Sequence, residues 1–223
     1  MKNSAAYPHL MQAGLLHGLP DEQKRAFLDS CIQKYCNERI TLLTQSEPTQ
    51  GCYLIARGRV EISYLDEDGN VSILHVAGTG EVIGEVEAIS ETPCAASCFS
   101  LPDTTVLYCP AAVLLDYAKN PAVIRNFAAI LHDRLMRDNH RRAVEQFHTV
   151  DKRLFSYLCQ FSTPDDPEIR FSQAHLATLM GCSRQKVNRM LKVLRDDGMI
   201  DLRRGRIVIL DRAKVEGKAA LRD

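Results

Sequence analysis

At 223 residues the chain is long enough for one large or two ordinary domains, each able to bury a core. A composition of 45% hydrophobic and 25% charged residues is ordinary for a globular protein. No apolar run reaches the ~18 residues that a membrane span requires, and the first twenty residues, MKNSAAYPHLMQAGLLHGLP, lack the continuous apolar stretch of a signal peptide. A cytoplasmic protein is therefore expected. The formal net charge of zero hides an asymmetry: residues 1–110 hold seven Lys/Arg against fourteen Asp/Glu, and residues 111–223 hold twenty-one against fourteen. An acidic half joined to a basic half suits a module that avoids nucleic acid tethered to one that seeks it. The eight cysteines show no repeated pair at metal-type spacing, so reduced and largely buried thiols are expected.

Residues 15–35 read as two short helices, the second opened by Pro20 and Asp21. From residue 40 to residue 109 the pattern changes to short strands with turn residues between. Val60, Ile62 and Tyr64 alternate with polar residues, and Val71, Ile73 and His75 resume the alternation after the hairpin turn Asp66-Glu67-Asp68-Gly69-Asn70. Gly78, Gly80 and Gly84 punctuate a tight loop, and residues 97–109 supply further strand. Many short antiparallel strands at this spacing predict a barrel or jelly roll. Pro110 ends this region, residues 111–117 form a short helix, and a helical pattern runs unbroken over residues 122–147. At ~1.5 Å per residue that helix spans roughly 40 Å, too long to pack on one small barrel. Ile124, Phe127, Leu131 and Leu135 form the stripe of a helix that pairs with its own copy, interrupted at Asp138 and Asn139 and restored at Val144 and Phe147. Thr149, Val150 and Asp151 read as a hinge, residues 153–161 as the next helix, and residues 162–167 as its exit loop.

The stretch FSQAHLATLMGCSRQKVNRMLKVLRDDGMI, residues 171–200, is the most informative part of the chain. It reads as two helices around a tight turn, with Ser172 and Ser183 as N-caps and Gly181-Cys182 between them. Leu176 and Met180 share one face of the first helix, and Val187, Met190, Leu191 and Leu194 form the buried stripe of the second. Gly198 closes that helix in the left-handed region. Arg184, Gln185, Lys186, Arg189 and Lys192 face outward, where long donors reach both base edges and phosphates in a major groove. Arg203, Arg204 and Arg206 then flank Gly205 at the tip of a hairpin running into the apolar strand Ile207-Val208-Ile209-Leu210. Residues 182–206 carry eight Lys/Arg against three Asp/Glu. A solvated basic helix would account for the charge alone, but not for its union with two caps and a basic wing. The reading is a winged helix-turn-helix that binds DNA, with Ser172, Gln173, Ser183, Arg184, Gln185, Lys186, Arg189, Arg203, Arg204 and Arg206 as its contact residues.

A β-roll, a long dimer helix and a C-terminal winged helix-turn-helix in this order resemble the CRP/FNR family of bacterial transcription regulators. The resemblance covers residues 15–210, and its most specific parts are GEVIGEVEAI and GCSRQKVNRMLKVLRDDGMI. It implies an α+β chain of three parts: an antiparallel, jelly-roll-like effector domain (1–118), a dimerisation helix and hinge (119–149), and a DNA-binding domain (150–223). It also implies a homodimer that senses a signal in the β-roll and binds pseudo-palindromic promoter DNA, with RNA polymerase as a further partner. Arg184, Gln185 and Arg189 match the positions that read base edges. The family commonly has Glu where this chain has Gln185; Glu accepts from cytosine whereas Gln pairs with adenine, so the half-site preference does not carry over.

The effector region departs further. Cyclic-AMP-binding members use a Gly-Glu pair at the ribose and an Arg-Ser pair at the cyclic phosphate. Gly84 and Glu85 are intact, with the alternative that they only make a fold turn and leave Glu85 solvated. Cys94 and Ala95 stand where Arg and Ser would. Losing a guanidinium from a phosphate forfeits of order 1.5–3 kcal/mol per charged hydrogen bond. Asp138 and Asn139 match positions that touch the base, and Asp138 adds negative charge. Ordinary cyclic AMP binding is not expected, and the effector is unidentified. Only Cys31 and Cys36 precede the barrel, on what reads as helix, which does not suit an iron–sulfur cluster. His75 or His132 could be an axial haem ligand, but an isolated His is more often structural. Cys94 and Cys98 could sense oxidants if a nearby cation lowered their pKa. The chain shows no ordered Ser-His-Asp set, Walker loop or metal triad, which argues against an enzyme. A cyclic-nucleotide module acting on a protein partner is the rival, and the basic wing argues against it.

Overall fold

The computed structural model describes every residue except 148–149, 165–166, 170–171, 204 and 221–223, and leaves the side chains of residues 140–141, 143–147 and 220 undescribed. Two compact units result, Met1–Leu135 and Met136–Asp223.

The first unit opens with helix α1 (Asn3–Ala6) and two 3₁₀ turns, Pro8–Gln12 and Gly14–Leu16, before helix α2 (Asp21–Ser30). Strands follow: β1 (Ile32–Cys36), β2 (Thr41–Leu43), β3 (Gly51–Arg57), β4 (Val60–Leu65), β5 (Val71–Ala77) and β6 (Val82–Ile83). Helix α3 (Glu85–Ser90) precedes β7 (Ser97–Ser100), β8 (Thr104–Pro110), helix α4 (Ala111–Ala118) and the long helix α5 (Pro121–Phe147). The strands make two four-stranded antiparallel sheets, ordered β1-β8-β3-β6 and β2-β7-β4-β5. Period-two alternation sends successive residues of β3 and β8 to opposite faces. Ile55 and Val106 point into the roll with Leu43, Val60, Ala77 and Cys98. Cys52, Leu54, Leu107 and Cys109 point the other way, into a second core. There they meet Leu15, Leu16, Phe27 and Leu28 of the N-terminal segment, Leu114 of α4 and Val123 of α5. The β-roll is thus clasped on one sheet by helices from both ends of its own sequence.

Buried amides tie these helices down. Asn126 on α5 is nearly fully buried, and its side-chain NH₂ donates to Leu15 O at 2.9 Å and His17 O at 2.8 Å. Asn3 donates to Leu28 O and Cys31 O at 2.9 and 2.7 Å. Asn126 satisfies two carbonyls of the irregular N-terminal segment, and Asn3 binds two at the C-terminal end of α2.

The second unit continues with helix α6 (Val150–Gln160), β9 (Glu168–Ile169), α7 (Gln173–Leu179), α8 (Arg184–Asp196), the hairpin β10 (Ile200–Arg203) and β11 (Arg206–Ile209), and α9 (Arg212–Ala220). Its sheet is ordered β10-β11-β9. Leu154, Leu158, Ile169, Leu176, Val187, Leu191, Ile200, Ile207 and Val215 are buried, so each of these elements turns an apolar side chain inward.

The structure has the jelly-roll strands, the long helix and the winged head that the sequence predicts. It revises the start of the chain. The first of the two short helices is a 3₁₀ turn, and α2 stops at Ser30, so Tyr35 lies on a strand. Strand β1 is an edge of its sheet with four of five residues exposed, and therefore lacks the alternation that marks a half-buried strand. Cys31 closes α2 and Cys36 ends β1, so they do not share a helix. Val150 and Asp151, read as hinge, lie in the first turn of α6. Thr149, the Asp165-Asp166 part of the exit loop, and the side chains of Val144 and Phe147 fall outside the described residues.

Candidate functional site

The reading head is built by its caps. Ser172 accepts from the His175 N–H at 3.1 Å, and Ser183 accepts from the Lys186 N–H at 3.3 Å. Each hydroxyl satisfies a donor that the first helical turn leaves orphaned, and fixes where the helix begins. Gly181 holds the turn between them at φ +57°, and Gly198 holds the exit of α8 at φ +70°. Val187, Leu191 and Leu194 are buried while Met190 is only half-buried. Arg184, Gln185, Lys186, Arg189 and Lys192 are all exposed along the opposite face, and Ser172 is exposed with Gln173 half-buried. The wing is more constrained than its sequence suggests. Arg203 Nε lies 2.9 Å from Asp201, and Arg206 Nη1 lies 2.8 Å from Glu168 on the neighbouring strand. These are solvent-exposed pairs of the kind worth about 0–1 kcal/mol, readily exchanged for a phosphate. Arg204 lies outside the described residues.

The candidate effector site is centred on Gly84 and Glu85. Gly84 adopts φ +77°, and a Cβ there would stand 2.7 Å from Leu43 Cδ1, so only glycine makes this turn without strain. Glu85 is fully buried, not solvated. Its partner is Arg134, which reaches in from α5: Nη2 sits 2.8 Å from Glu85 Oε1 and donates to Val82 O at 2.7 Å. One Nη2 proton is directed at the carbonyl, and the close approach to the carboxylate pairs the charges without a well-directed hydrogen bond to either oxygen. Burial accordingly pushes the Glu85 pKa up, opposed by the positive charge of Arg134.

Where a cyclic phosphate would be clamped, the chain presents acid instead of base. Cys94 is buried, its N–H donating to Glu47 O at 2.8 Å, and Ala95 is exposed. The Ala95 N–H donates to Glu87 Oε1 at 3.2 Å, so a carboxylate holds the amide that an incoming anion would use. The condition for oxidant sensing at Cys94 and Cys98 is not met. Burial, with the Glu87 charge second, raises both thiols, and Cys98 is pushed up to about 12. Asp138 and Asn139 are exposed on the part of α5 that belongs to the second unit. A separate cavity of about 480 Å³ opens at the mouth of the roll beside Lys34, Leu43, Tyr53, Cys94 and Tyr108, and does not include Glu85.

On α5, Ile124, Leu131 and Leu135 are 56%, 45% and 58% exposed. Phe127 does not join them, because it is half-buried against the helical core of the first unit. Exposed Ala128 takes its place, giving the stripe Ile124, Ala128, Leu131 and Leu135 at four-three-four spacing. Four-three alternation is the spacing of apolar residues in a coiled-coil seam.

Arg134 is the residue that sequence reasoning missed. It lies one helical turn before Asp138, three residues after Leu131, among other basic residues of α5. Nothing in that pattern separates a cation bound for a buried carboxylate from one left in water. Among the described residues, no group of three or more His, Cys, Asp or Glu is placed to hold a metal ion, and no helix is long and apolar enough to cross a membrane.

A roll with a buried acidic turn, joined through one long helix to a winged reading head, defines the class of regulators that couple a sensory β-roll to DNA. The comparisons agree. Residues 34–120 match the Cyclic nucleotide-binding domain family, and residues 152–217 match the Crp-like helix-turn-helix domain family. The chain is 27% identical over 207 residues to the Cyclic AMP receptor protein of Thermus thermophilus, covering 91% of this chain and 94% of that one. It is 28% identical over 198 residues to the cAMP-activated global transcriptional regulator CRP of Escherichia coli, covering 82% and 91%. The solved structure of FixK2 from Bradyrhizobium japonicum shares the fold with a TM-score of 0.75 at 18% identity, over 86% of this chain and 99% of that one. The chain belongs to the CRP/FNR family of transcription regulators.

Replacing Arg134 by Met should expose the cost of the buried carboxylate. Because the Glu85 pKa in the folded protein is already raised, its contribution to stability is greatest below the unfolded carboxylate pKa and is lost as pH rises through the folded value. Without Arg134 the folded value rises further, so Arg134→Met should lose up to about 3 kcal/mol at pH 8 and clearly less at pH 5. Urea melts at the two pH values, with Glu85→Gln/Arg134→Met as the variant that removes the difference, measure this.

Proposed function

We propose that this chain is a homodimeric, sequence-specific regulator that reads promoter DNA with the N-terminal half of α8 and steadies itself on phosphates with the β10–β11 wing. The observation that carries this is the exposed row Arg184, Gln185, Lys186, Arg189 and Lys192 on a helix whose start is fixed by Ser183. Arg184, Gln185 and Arg189 take base edges; Arg203, Arg204 and Arg206, with the capped N-termini at Ser172-Gln173 and Ser183-Lys186, take the backbone. RNA polymerase is the expected second partner. Selection of binding sites from genomic fragments, followed by gel shift, tests the assignment. Retention of random and selected fragments alike would overturn it.

Dimers form through the α5 stripe. Two-fold symmetry then places two α8 helices on half-sites about one helical turn, ~34 Å, apart, so the operator is a pseudo-palindrome. The effector is held near Gly84, Glu85 and Arg134, and it is not ordinary cyclic AMP. A cyclic phosphate entering here meets Cys94, Ala95 and the Glu87 carboxylate, with no guanidinium from the clamp loop. Asp138 and Asn139 are the α5 residues assigned to the base end of the ligand.

Changing Leu131 and Leu135 to Asp should give monomers in sedimentation or light scattering; a fully dimeric variant would refute the seam. Arg189→Ala should weaken specific binding by ~1–3 kcal/mol and relax base choice at one position, whereas Arg203→Ala should weaken all sequences about equally. Binding titrations against single-base variants of the operator distinguish the two. Calorimetry with cyclic AMP should detect no binding tighter than ~100 μM, about −5.5 kcal/mol.

A further inference from the structure

The β-roll closes over at one end of strand β1 and stays open at the other. Strand β1 pairs with β8, and β8 with β3, so Ile32, Tyr108 and Tyr53 stand in one cross-strand row and Lys34, Val106 and Ile55 in the next. Side chains directly opposite one another share a face of the sheet, and residues two apart return to it. Ile55, Val106 and Cys36 are buried inside the roll, so both rows face inward. Ile32 is nevertheless 59% exposed, and Lys34 is exposed beside it. Strands β1 and β2 are the outer strands of different sheets, and the cavity of about 480 Å³ is lined by both of these edges. Small-molecule sites measure about 300–1,000 Å³.

The lining sorts by chemistry. Tyr53 and Tyr108 put two rings side by side, their centroids 5.2 Å apart and their planes tilted by 51°. Ile32, Leu42 and Leu43 surround them with apolar surface. Lys34 is the one cation of the lining, and Glu47 is the one anion. The Lys34 ammonium and the two phenol hydroxyls make no hydrogen bond or ion pair with a described residue. An aromatic floor with one unpaired cation suits a flat ring carrying a single negative charge. A phosphate ester would find no arginine in this lining, and Glu47 would repel its second charge.

We propose that this cavity is a second ligand site, separate from Glu85 and Arg134, and that it takes a small monocyclic aromatic carboxylate. The ring lies against Tyr53 and Tyr108, the carboxylate pairs with Lys34, and the tyrosine hydroxyls meet polar substituents on the ring. The site also touches the turn at Gly84. Leu43 lines the cavity and stands against Gly84, and Cys94 lines it from the other loop. A ligand that displaced Leu43 would therefore act on the turn without contacting Glu85.

The test uses the full-length protein with isotope-labelled isoleucine methyl groups, titrated with para-hydroxybenzoate and followed by NMR. The Ile32 signal should shift saturably. Lys34→Met should weaken binding about tenfold, as expected for the loss of one charged partner, and Lys34→Arg should restore most of it. The matching benzamide keeps the ring without the charge, and cyclohexanecarboxylate keeps the charge without the aromatic ring; each should bind more weakly than the acid. Lys34 is exposed, and unchanged signals from the buried Ile55 and Ile83 verify that its variants fold. No saturable shift by about 5 mM, or either control binding as tightly as the acid, would overturn the proposal. So would a saturable shift at Ile83 with Ile32 unmoved, which would put the acid at the Gly84 turn instead.

Discussion

A carboxylate with no access to water needs a cation, and Glu85 draws Arg134 out of the long helix to supply it. Much else follows from that requirement. Leaving Glu85 charged and alone in the roll would cost several kcal/mol, so the carboxylate and the Arg134 guanidinium are energetically coupled. The helix is held against the first unit by Asn126 and by the apolar packing of Val123 and Phe127. Polar pairing and hydrophobic seating thus act on the same stretch of α5, leaving Ile124, Ala128, Leu131 and Leu135 on its outer face. The cation that pairs with Glu85 and the exposed apolar row are therefore mounted on adjoining sides of one helix. A ligand that bound differently to the Glu85–Arg134 pair in its two arrangements would bias both at once.

The second unit solves a different problem with local means. Its core is small, and its recognition surface must be hydrophilic yet rigid. Two serine caps, two glycines in the left-handed region and a three-stranded sheet fix α8 without using its outward side chains. The long donors at Arg184, Gln185 and Arg189 are consequently free of structural duty, which is what base reading demands.

Most of the second unit was legible in the sequence because its signals are local. Caps, a turn glycine and a 3.6-residue stripe lie within thirty consecutive residues of one another. The β-roll was legible through alternation, and failed at β1, where an edge strand has no buried face to alternate. The long helix was readable in length but not in the roles of its faces. Phe127 and Ala128 differ by one position, and the helical period assigns both to the same broad stripe until the partner core is known. Arg134 was invisible for a related reason. Its partner lies forty-nine residues earlier, on a turn whose burial comes from sheet packing rather than from any nearby apolar run.

The wing offers one more consequence. Arg203 and Arg206, the wing arginines proposed for the DNA backbone, are already neighboured by Asp201 and Glu168. They carry counterions of their own, and on a short hairpin those carboxylates would stay near any phosphate that replaced them. An arginine that trades one anion for another displaces fewer ions from the DNA than a bare one does, so the dependence of affinity on salt should be shallower than the number of wing arginines implies. The protein would then hold its sites across a wider range of ionic strength, leaving discrimination to the unpaired donors along α8.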